Sequence, residues 1–222
     1  MKYFHLDTIK FLKELSKNNN KDWFAENKNR FKKEVGSPFK TFITDLIIEL
    51  QPYIPNLTID AKDCIFRIYK DIRFSKDKTP YKNHVSAMIS PRGRKDKTTP
   101  GLYVELSGND FRIYSGCFDL TTNQIEKIRS HVHNNLSKFD TLINETDFKN
   151  TFGEIKGEKY KRIPVKYQDS IEMQPLLLNK TFYFYKKYET DLALKSGFLE
   201  TILNDYDKCL DVNKFLLEAL EN

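Results

Sequence analysis

Cations are concentrated in one part of the chain, and their chemistry points to anion binding. Positions 62 to 97 hold eleven Lys or Arg residues against four Asp, a net charge of +7, whereas all 222 residues together carry +6. Arginine forks bind phosphate or carboxylate through two parallel hydrogen bonds, and lysine adds a mobile point charge. We therefore predict an anion site in this stretch. Its cations and the aromatic residues between them are Arg67, Tyr69, Arg73, Lys76, Lys78, Tyr81 and Lys82.

The same region supplies groups that could transfer a proton. Asp71, Asp77 and His84 lie among the cations or just after them, and Glu105 lies on a later predicted strand. These four residues are the acid–base candidates, because carboxylates and imidazole are the usual general acids and bases. The alternative is structural: Asp71 and Asp77 could neutralise neighbouring arginines in salt bridges that hold a long loop in place. Both interpretations stay open at this point.

The basic stretch begins with the alternation that is typical of a strand. Phe66 and Ile68 alternate with Arg67 and Tyr69, and further on a Thr-Pro pair disfavours helix. More strands are predicted over 85–89, 101–106, 111–115 and 181–188, and the sequence Ser-Gly-Asn-Asp at 107–110 predicts a hairpin turn between two of them. Alternation predicts an apolar side made of Phe66, Ile68, Leu102, Val104, Phe111 and Ile113. The opposite side carries Arg67, Tyr69, Tyr103, Glu105, Arg112 and Tyr114.

Helical patterns precede and follow these strands. Apolar residues repeat at helical spacing over 7–17, 21–33 and 39–50, and we expect Gly36 to end the second helix, with Ser37 and Pro38 starting the third. Thr121 and Gln124 form a capping box for a later helix. Further helices are predicted over 138–150, from about 197, and around 212–220. The fold class predicted is α+β, a mainly antiparallel sheet of four or more strands flanked by an N-terminal helical layer and C-terminal helices, in one domain spanning 1–222.

Composition excludes several classes of protein and site. No apolar run is long enough for a membrane span, and the first residues lack a signal-peptide core, so we expect a cytoplasmic protein without a membrane partner. The three cysteines are widely separated, which favours buried thiols over disulfides or a zinc site. The glycine-rich nucleotide motifs and the serine hydrolase motif are missing. His131 and His133 would lie about 200° apart on a helix, so no metal site is predicted.

The basic stretch also carries a family resemblance. The segment from Phe66 to Lys82 resembles the signature of the DUF2461 family, a group of uncharacterised proteins. The core of this segment is Ile72-Arg73-Phe74-Ser75-Lys76-Asp77-Lys78-Thr79-Pro80-Tyr81-Lys82. The Asn19-Asn20…Trp23-Phe24 start, the strand at 101–103 and the segment 161–164 resemble it too, so the resemblance covers nearly the whole chain. Lys70 stands where the family pattern has Arg, which keeps the charge but not the bidentate fork. The resemblance brings no established activity, and the cofactor is unknown. It does add Lys161 and Arg162 as a second wall of the anion site.

Three functional classes follow from these residues. The first is an enzyme or binding protein with a concave, partly buried basic pocket for a phosphorylated or other anionic small molecule. The second is a nucleic-acid-binding module with an open basic face, on which Tyr69, Tyr103 and Tyr114 would stack on bases. The third is a structural or protein-interaction domain with an exposed apolar patch. The sequence places the small-molecule class first, because Asp, Ser and Thr are closely interleaved with the cations.

Overall fold

The computed structural model describes residues 1–221 and shows an α+β fold. The helices are α1 (Leu6–Lys17), α2 (Lys21–Glu26), α3 (Lys28–Phe31), α4 (Ser37–Leu50), α5 (Ala61–Cys64), α6 (Thr122–Asn134), α7 (Leu136–Asn144), α8 (Thr146–Phe152), α9 (Thr190–Ala193), α10 (Phe198–Asp207) and α11 (Leu210–Glu221). The strands are β1 (His84–Ile89), β2 (Leu102–Ser107), β3 (Asp110–Cys117) and β4 (Phe182–Glu189). They form one antiparallel sheet in the order β1-β2-β3-β4, which confirms the predicted fold class.

Two compact units make up the described chain. The first contains Met1–Lys95, Tyr103–Ile113 and Lys187–Leu203, and the second contains Asp96–Leu102, Tyr114–Lys186 and the residues from Asn204 onward. Strands β2, β3 and β4 therefore contribute residues to both units. The single domain expected from the sequence stays a prediction.

Alternation along β2 and β3 is as predicted. Leu102, Val104, Phe111 and Ile113 are buried, while the residues between them are half-exposed. These half-exposed residues are Tyr103, Glu105, Arg112 and Tyr114. A strand points successive side chains to opposite faces, so a hairpin with a known turn fixes which residues share each face.

The strand predicted at 66–69 is wrong in its details. This segment forms only two isolated bridges, Ile65 with Ala87 and Tyr69 with Tyr81. Between the two bridges the chain advances four positions from Ile65 to Tyr69 but six positions from Tyr81 to Ala87. Such a bulged pairing breaks strict alternation. Phe66 consequently lies half-buried with its ring centroid 6.0 Å from that of Tyr103, on the polar side of the sheet rather than on the apolar side.

The predicted helix end at Gly36 is also wrong. Gly36 has helical dihedral angles (φ −65°, ψ −47°), and a π-helical turn over Lys32–Gly36 carries the chain directly into α4. Tertiary packing explains the continuity: Val35 is fully buried, and the Thr8 hydroxyl donates a hydrogen bond of 2.7 Å to the Glu34 carbonyl. These contacts keep the chain helical at Gly36, although the conformational freedom of glycine favours the end of a helix.

Two other sequence-based expectations, the buried cysteines and the capping box of α6, are confirmed. All three cysteines are free and buried, and burial raises the pKa of the Cys64 thiol to about 12. The capping box of Thr121 and Gln124 begins α6. Within residues 1–221, no helix combines the length and the apolar character needed to cross a bilayer.

Candidate functional site

The basic stretch forms a two-stranded ribbon in the first unit, with a loop at its tip. Backbone amides of Phe66 and Lys82 donate to the carbonyls of Ser86 and Ile68 at 2.9 and 2.8 Å, so 65–70 runs antiparallel to 80–87. We call the residues between the two sides the 71–79 loop. The chain therefore folds back on itself after Arg67, as the anion-site prediction requires.

Asn19 fixes the return side of this ribbon. Its Nδ2 donates to the Tyr81 carbonyl and to Asn83 Oδ1, both at 2.9 Å, and its Oδ1 accepts from the Tyr81 amide at 3.0 Å. The Tyr81 ring is 5% exposed and stacks on Phe24 with ring centroids 4.1 Å apart. Tyr81 thus anchors the ribbon to the N-terminal helices.

We expect Asn19→Ala to lower the free energy of unfolding by about 1–3 kcal/mol, because the buried amide and carbonyl of Tyr81 lose their partner. Urea denaturation measures this loss. Asn29→Ala is the matched control, since Asn29 lies exposed on α3. Equal stability of the two variants would contradict the anchoring role.

Inside the 71–79 loop the carboxylates are already paired. Arg73 donates from Nε and Nη2 to the two carboxylate oxygens of Asp71, at 3.0 and 2.7 Å. Lys70 pairs with Asp77, which also accepts from the Thr79 amide and hydroxyl at 2.9 and 2.8 Å. Hydrogen bonds from Arg73 and from Lys70 lower the pKa of Asp71 and of Asp77, respectively, to about 2. Both carboxylates therefore stay ionised at neutral pH, which is unsuited to a general acid or base.

The remaining cations of the stretch have different surroundings. Lys78 donates to the Ile72 carbonyl at 2.9 Å, and Lys82 lies 5.0 Å from the centroid of the Phe66 ring. Arg67 and Lys76 are exposed and make no ion pair or hydrogen bond with any described residue. Most side chains of the 71–79 loop are exposed.

A second group of polar residues lies on the half-exposed side of the sheet in the first unit. His84 begins β1, and its Nε2 lies 3.6 Å from Oε2 of Glu105 on β2. Tyr103, on the same side of β2, donates its hydroxyl proton to that Oε2 at 3.1 Å. The side chains of His84 and Glu105 are 29% and 17% exposed, so solvent reaches the pair but does not surround it. The structure thus brings together two of the four predicted acid–base candidates.

Arg112 and Asp110, which are paired with each other, both act electrostatically on His84. Arg112 on β3 donates to Oδ2 of Asp110 at 2.7 Å, and Lys187 Nζ lies 3.7 Å from the same oxygen. Burial would raise the pKa of Asp110, but hydrogen bonds from Arg112 and Ser107 outweigh it and hold that pKa below its usual value. The carboxylate is thus ionised.

The pKa of His84 is lowered from its ordinary value. Burial of the imidazole is the largest cause; Glu105 opposes the shift, and the positive charges of Lys82 and Arg112 add to it. The ring is therefore neutral at pH 7. A neutral imidazole beside a carboxylate can accept a proton, because a carboxylate stabilises the imidazolium that forms.

Comparison with known proteins gives one result. A family model described as "Conserved hypothetical protein (DUF2461)" matches residues 7–215. The chain belongs to the DUF2461 family. No curated protein and no solved structure matches it. The matched range contains both the ribbon and the sheet residues around His84.

Other predicted residues of this DUF2461 chain lie in the second unit. Lys161 and Arg162 are exposed on the segment that follows Tyr160, and the wall they were expected to form stays a prediction. Tyr114 stacks on Tyr185 with centroids 5.2 Å apart. Tyr69 is 56% exposed on the ribbon, and the Tyr103 hydroxyl is hydrogen-bonded to Glu105. The three tyrosines predicted to stack on bases therefore differ in their surroundings, and the nucleic-acid face that they were expected to form stays a prediction.

The two histidines of α6, His131 and His133, have separate neighbours. His131 packs on Phe215 at a centroid distance of 4.4 Å, and His133 contacts Ser170 at 3.0 Å. Across the described part of the DUF2461 chain, no three His, Cys, Asp or Glu residues are grouped so that they could hold a metal ion.

Asp110 and Lys187 are the site residues that sequence reasoning missed. The sequence indicates Asp110 only as a turn residue, although the hairpin that it closes places Arg112 opposite Glu105 and Asp110 beside them. Counting residues outward from the predicted turn gives this placement. No comparable local signal exists for Lys187, which lies far along the chain on β4.

Proposed function

We propose that the protein binds a small anionic molecule on the sheet face around His84 and transfers a proton through the His84–Glu105 pair. The observation that carries the proposal is the 3.6 Å approach of a half-buried imidazole to a half-buried carboxylate. Neutral His84 would accept the proton, and Glu105 would stabilise the resulting imidazolium while Tyr103 holds the carboxylate in place. This is the arrangement of a general base with an orienting group.

The choice of an anionic ligand follows from the charges that face His84. Lys82 and Arg112 both act electrostatically on the imidazole, and Arg112 offers a planar guanidinium for a phosphate or carboxylate group. The sheet face is half-buried, which suits a small molecule better than an extended polymer. Two members of the anion site predicted from the sequence, Arg67 and Lys76, are exposed on the ribbon and its loop and are not part of this proposal. The cytoplasmic location stays a prediction.

An NMR titration of the His84 ring tests the electrostatic part of the proposal. We expect the pKa of His84 to lie below its ordinary value of 6.5. Glu105→Gln removes a charge that raises the pKa of His84, so it should lower that pKa further; Lys82→Gln removes a charge that lowers it, so the pKa should rise. The spectrum of His84→Gln assigns the resonance. If Glu105→Gln left the pKa of His84 unchanged, His84 and Glu105 would not be electrostatically coupled.

The same resonance then reports ligand binding. Phosphate, pyrophosphate, sugar phosphates and dicarboxylates are added in turn at moderate salt, and an anion bound at this face should raise the pKa of His84 by favouring the imidazolium. Arg112→Gln should abolish the response, whereas Lys17→Gln, a change of the same charge at an exposed position on α1, should preserve it. If no anion moves the resonance, or if both variants respond equally, the proposal is wrong.

A further inference from the structure

The 71–79 loop has a property that proton transfer at His84 does not use. Phe74 is 96% exposed, which is the largest exposure among the bulky apolar side chains of the described residues. By contrast, the structure buries most of the other phenylalanines, and their burial is what the hydrophobic effect favours. A ring held in water at the tip of a loop therefore needs an explanation.

Internal bonds connect the residues on either side of this ring. The bidentate pair of Arg73 with Asp71, the pair of Lys70 with Asp77, and the hydrogen bond from Lys78 to the Ile72 carbonyl together span the loop. The Arg73 guanidinium carbon also lies 5.9 Å from the Phe74 ring centroid. Because these bonds restrict the loop before a ligand arrives, stacking on Phe74 would cost less conformational entropy than binding to an unconstrained loop.

The charge around the ring remains positive after these pairs are counted. Asp71 and Asp77 are the only acidic residues between positions 66 and 84, and both are engaged within the loop. Arg67, Lys76 and Lys78 have no carboxylate partner among residues 1–221. A protein partner would favour a wider apolar patch, whereas one aromatic ring surrounded by cations complements a base and its neighbouring phosphates.

We propose that the 71–79 loop is a contact site for single-stranded nucleic acid, in which a base stacks on Phe74 and Lys76 and Lys78 approach the adjacent phosphates. Single strands fit because their bases expose free faces, whereas the bases of a duplex are stacked on one another. Tyr69, which is 56% exposed at the base of the loop, offers a second ring. The proposal is independent of the chemistry at His84.

Fluorescence anisotropy with a short labelled oligothymidylate and an oligouridylate tests the proposal on the full chain. Phe74→Ala should weaken binding by about tenfold, the scale of one lost base–aromatic contact. Phe74→Leu should lose as much, because it stays apolar but has no π face, whereas Phe74→Trp should retain the affinity. Lys76→Gln should make the logarithmic salt dependence shallower by about 0.7. Lys17→Gln is the charge-matched control and should leave binding unchanged.

Three results would overturn the proposal. The first is an absence of oligonucleotide binding at low salt. The second is equal weakening by Lys76→Gln and Lys17→Gln with no effect of Phe74→Ala, which would indicate diffuse electrostatic attraction. The third is equal affinity for a duplex of the same length, because stacking on an unpaired base would then be excluded. Phe74 and Lys76 are exposed, so their variants should fold, and circular dichroism checks this.

Discussion

Phe111→Ala is expected to lower the free energy of unfolding by about 3–5 kcal/mol, the range observed for truncation of a buried phenylalanine. Phe111 is 0% exposed, and it lies at the centre of the aromatic core of the first unit. Its ring centroid is 4.8 Å from that of Phe198 and 5.8 Å from that of Phe42, and both contacts are edge-to-face. Phe4 and Tyr188 complete the cluster at 6.5 and 6.3 Å. Removing the ring leaves a cavity that four aromatic neighbours cannot easily fill.

Phe74→Ala is the matched control, because it makes the same substitution at a ring that is 96% exposed. It should change the free energy of unfolding by no more than about 0.5 kcal/mol. Urea denaturation of both variants gives the comparison. The stability of Phe111→Ala also bears on the candidate site around His84. Arg112 directly follows Phe111 in β3, so the packing of Phe111 holds the backbone from which Arg112 projects. Similar losses in the two variants would contradict the packing described for β3.

The sheet was predictable where its pairing is local. The turn at 107–110 joins β2 and β3 directly, so alternation outward from the turn places Glu105 opposite Arg112 and buries Val104 with Phe111. A hairpin with a short turn leaves only one register that buries an apolar face. The polar face of these two strands, which includes half of the candidate site, therefore followed from the sequence.

The ribbon was harder to predict because distant residues determine its register. Asn19, in the turn between α1 and α2, bonds to the backbone of Tyr81, which lies 62 positions later in the chain. No local pattern reports such a contact, so the bulge that turns Phe66 towards Tyr103 could not be anticipated. Sequence alternation assumes an unbulged strand, and here that assumption fails.

The charges of the basic stretch were recognised, but their partners were not. Both arrangements were open from the sequence: Asp71 and Asp77 as acid–base groups, or as salt-bridge partners within the loop. The structure shows the salt bridges, with Asp71 bound by Arg73 and Asp77 by Lys70. Which cation meets which carboxylate depends on a loop conformation that net charge does not specify. His84 and Glu105 are more buried than Asp71 and Asp77, and this difference in burial is likewise a property of the fold.

Gly116→Ala should destabilise the second unit by about 3 kcal/mol or more, because it combines backbone strain with a steric overlap. Gly116 lies near the end of β3 with φ +98°, a conformation that alanine adopts only with strain. A Cβ atom there would also overlap the Phe182 carbonyl oxygen and come within 3.0 Å of the Tyr183 Cα. Both obstacles are backbone atoms of β4, so relief requires the strand itself to move.

Gly153→Ala separates these two causes. Gly153 follows α8 with φ +74° and ψ −107°, but a Cβ atom there would meet nothing within 4 Å, so only backbone strain of about 1–3 kcal/mol is expected. The difference between the two variants in urea denaturation therefore measures the close approach of β4 to β3. If Gly116→Ala costs no more than Gly153→Ala, β4 must lie further from β3 than the structure places it. Tyr114 and Tyr185, which stack across the same pair of strands with centroids 5.2 Å apart, would then be further apart as well.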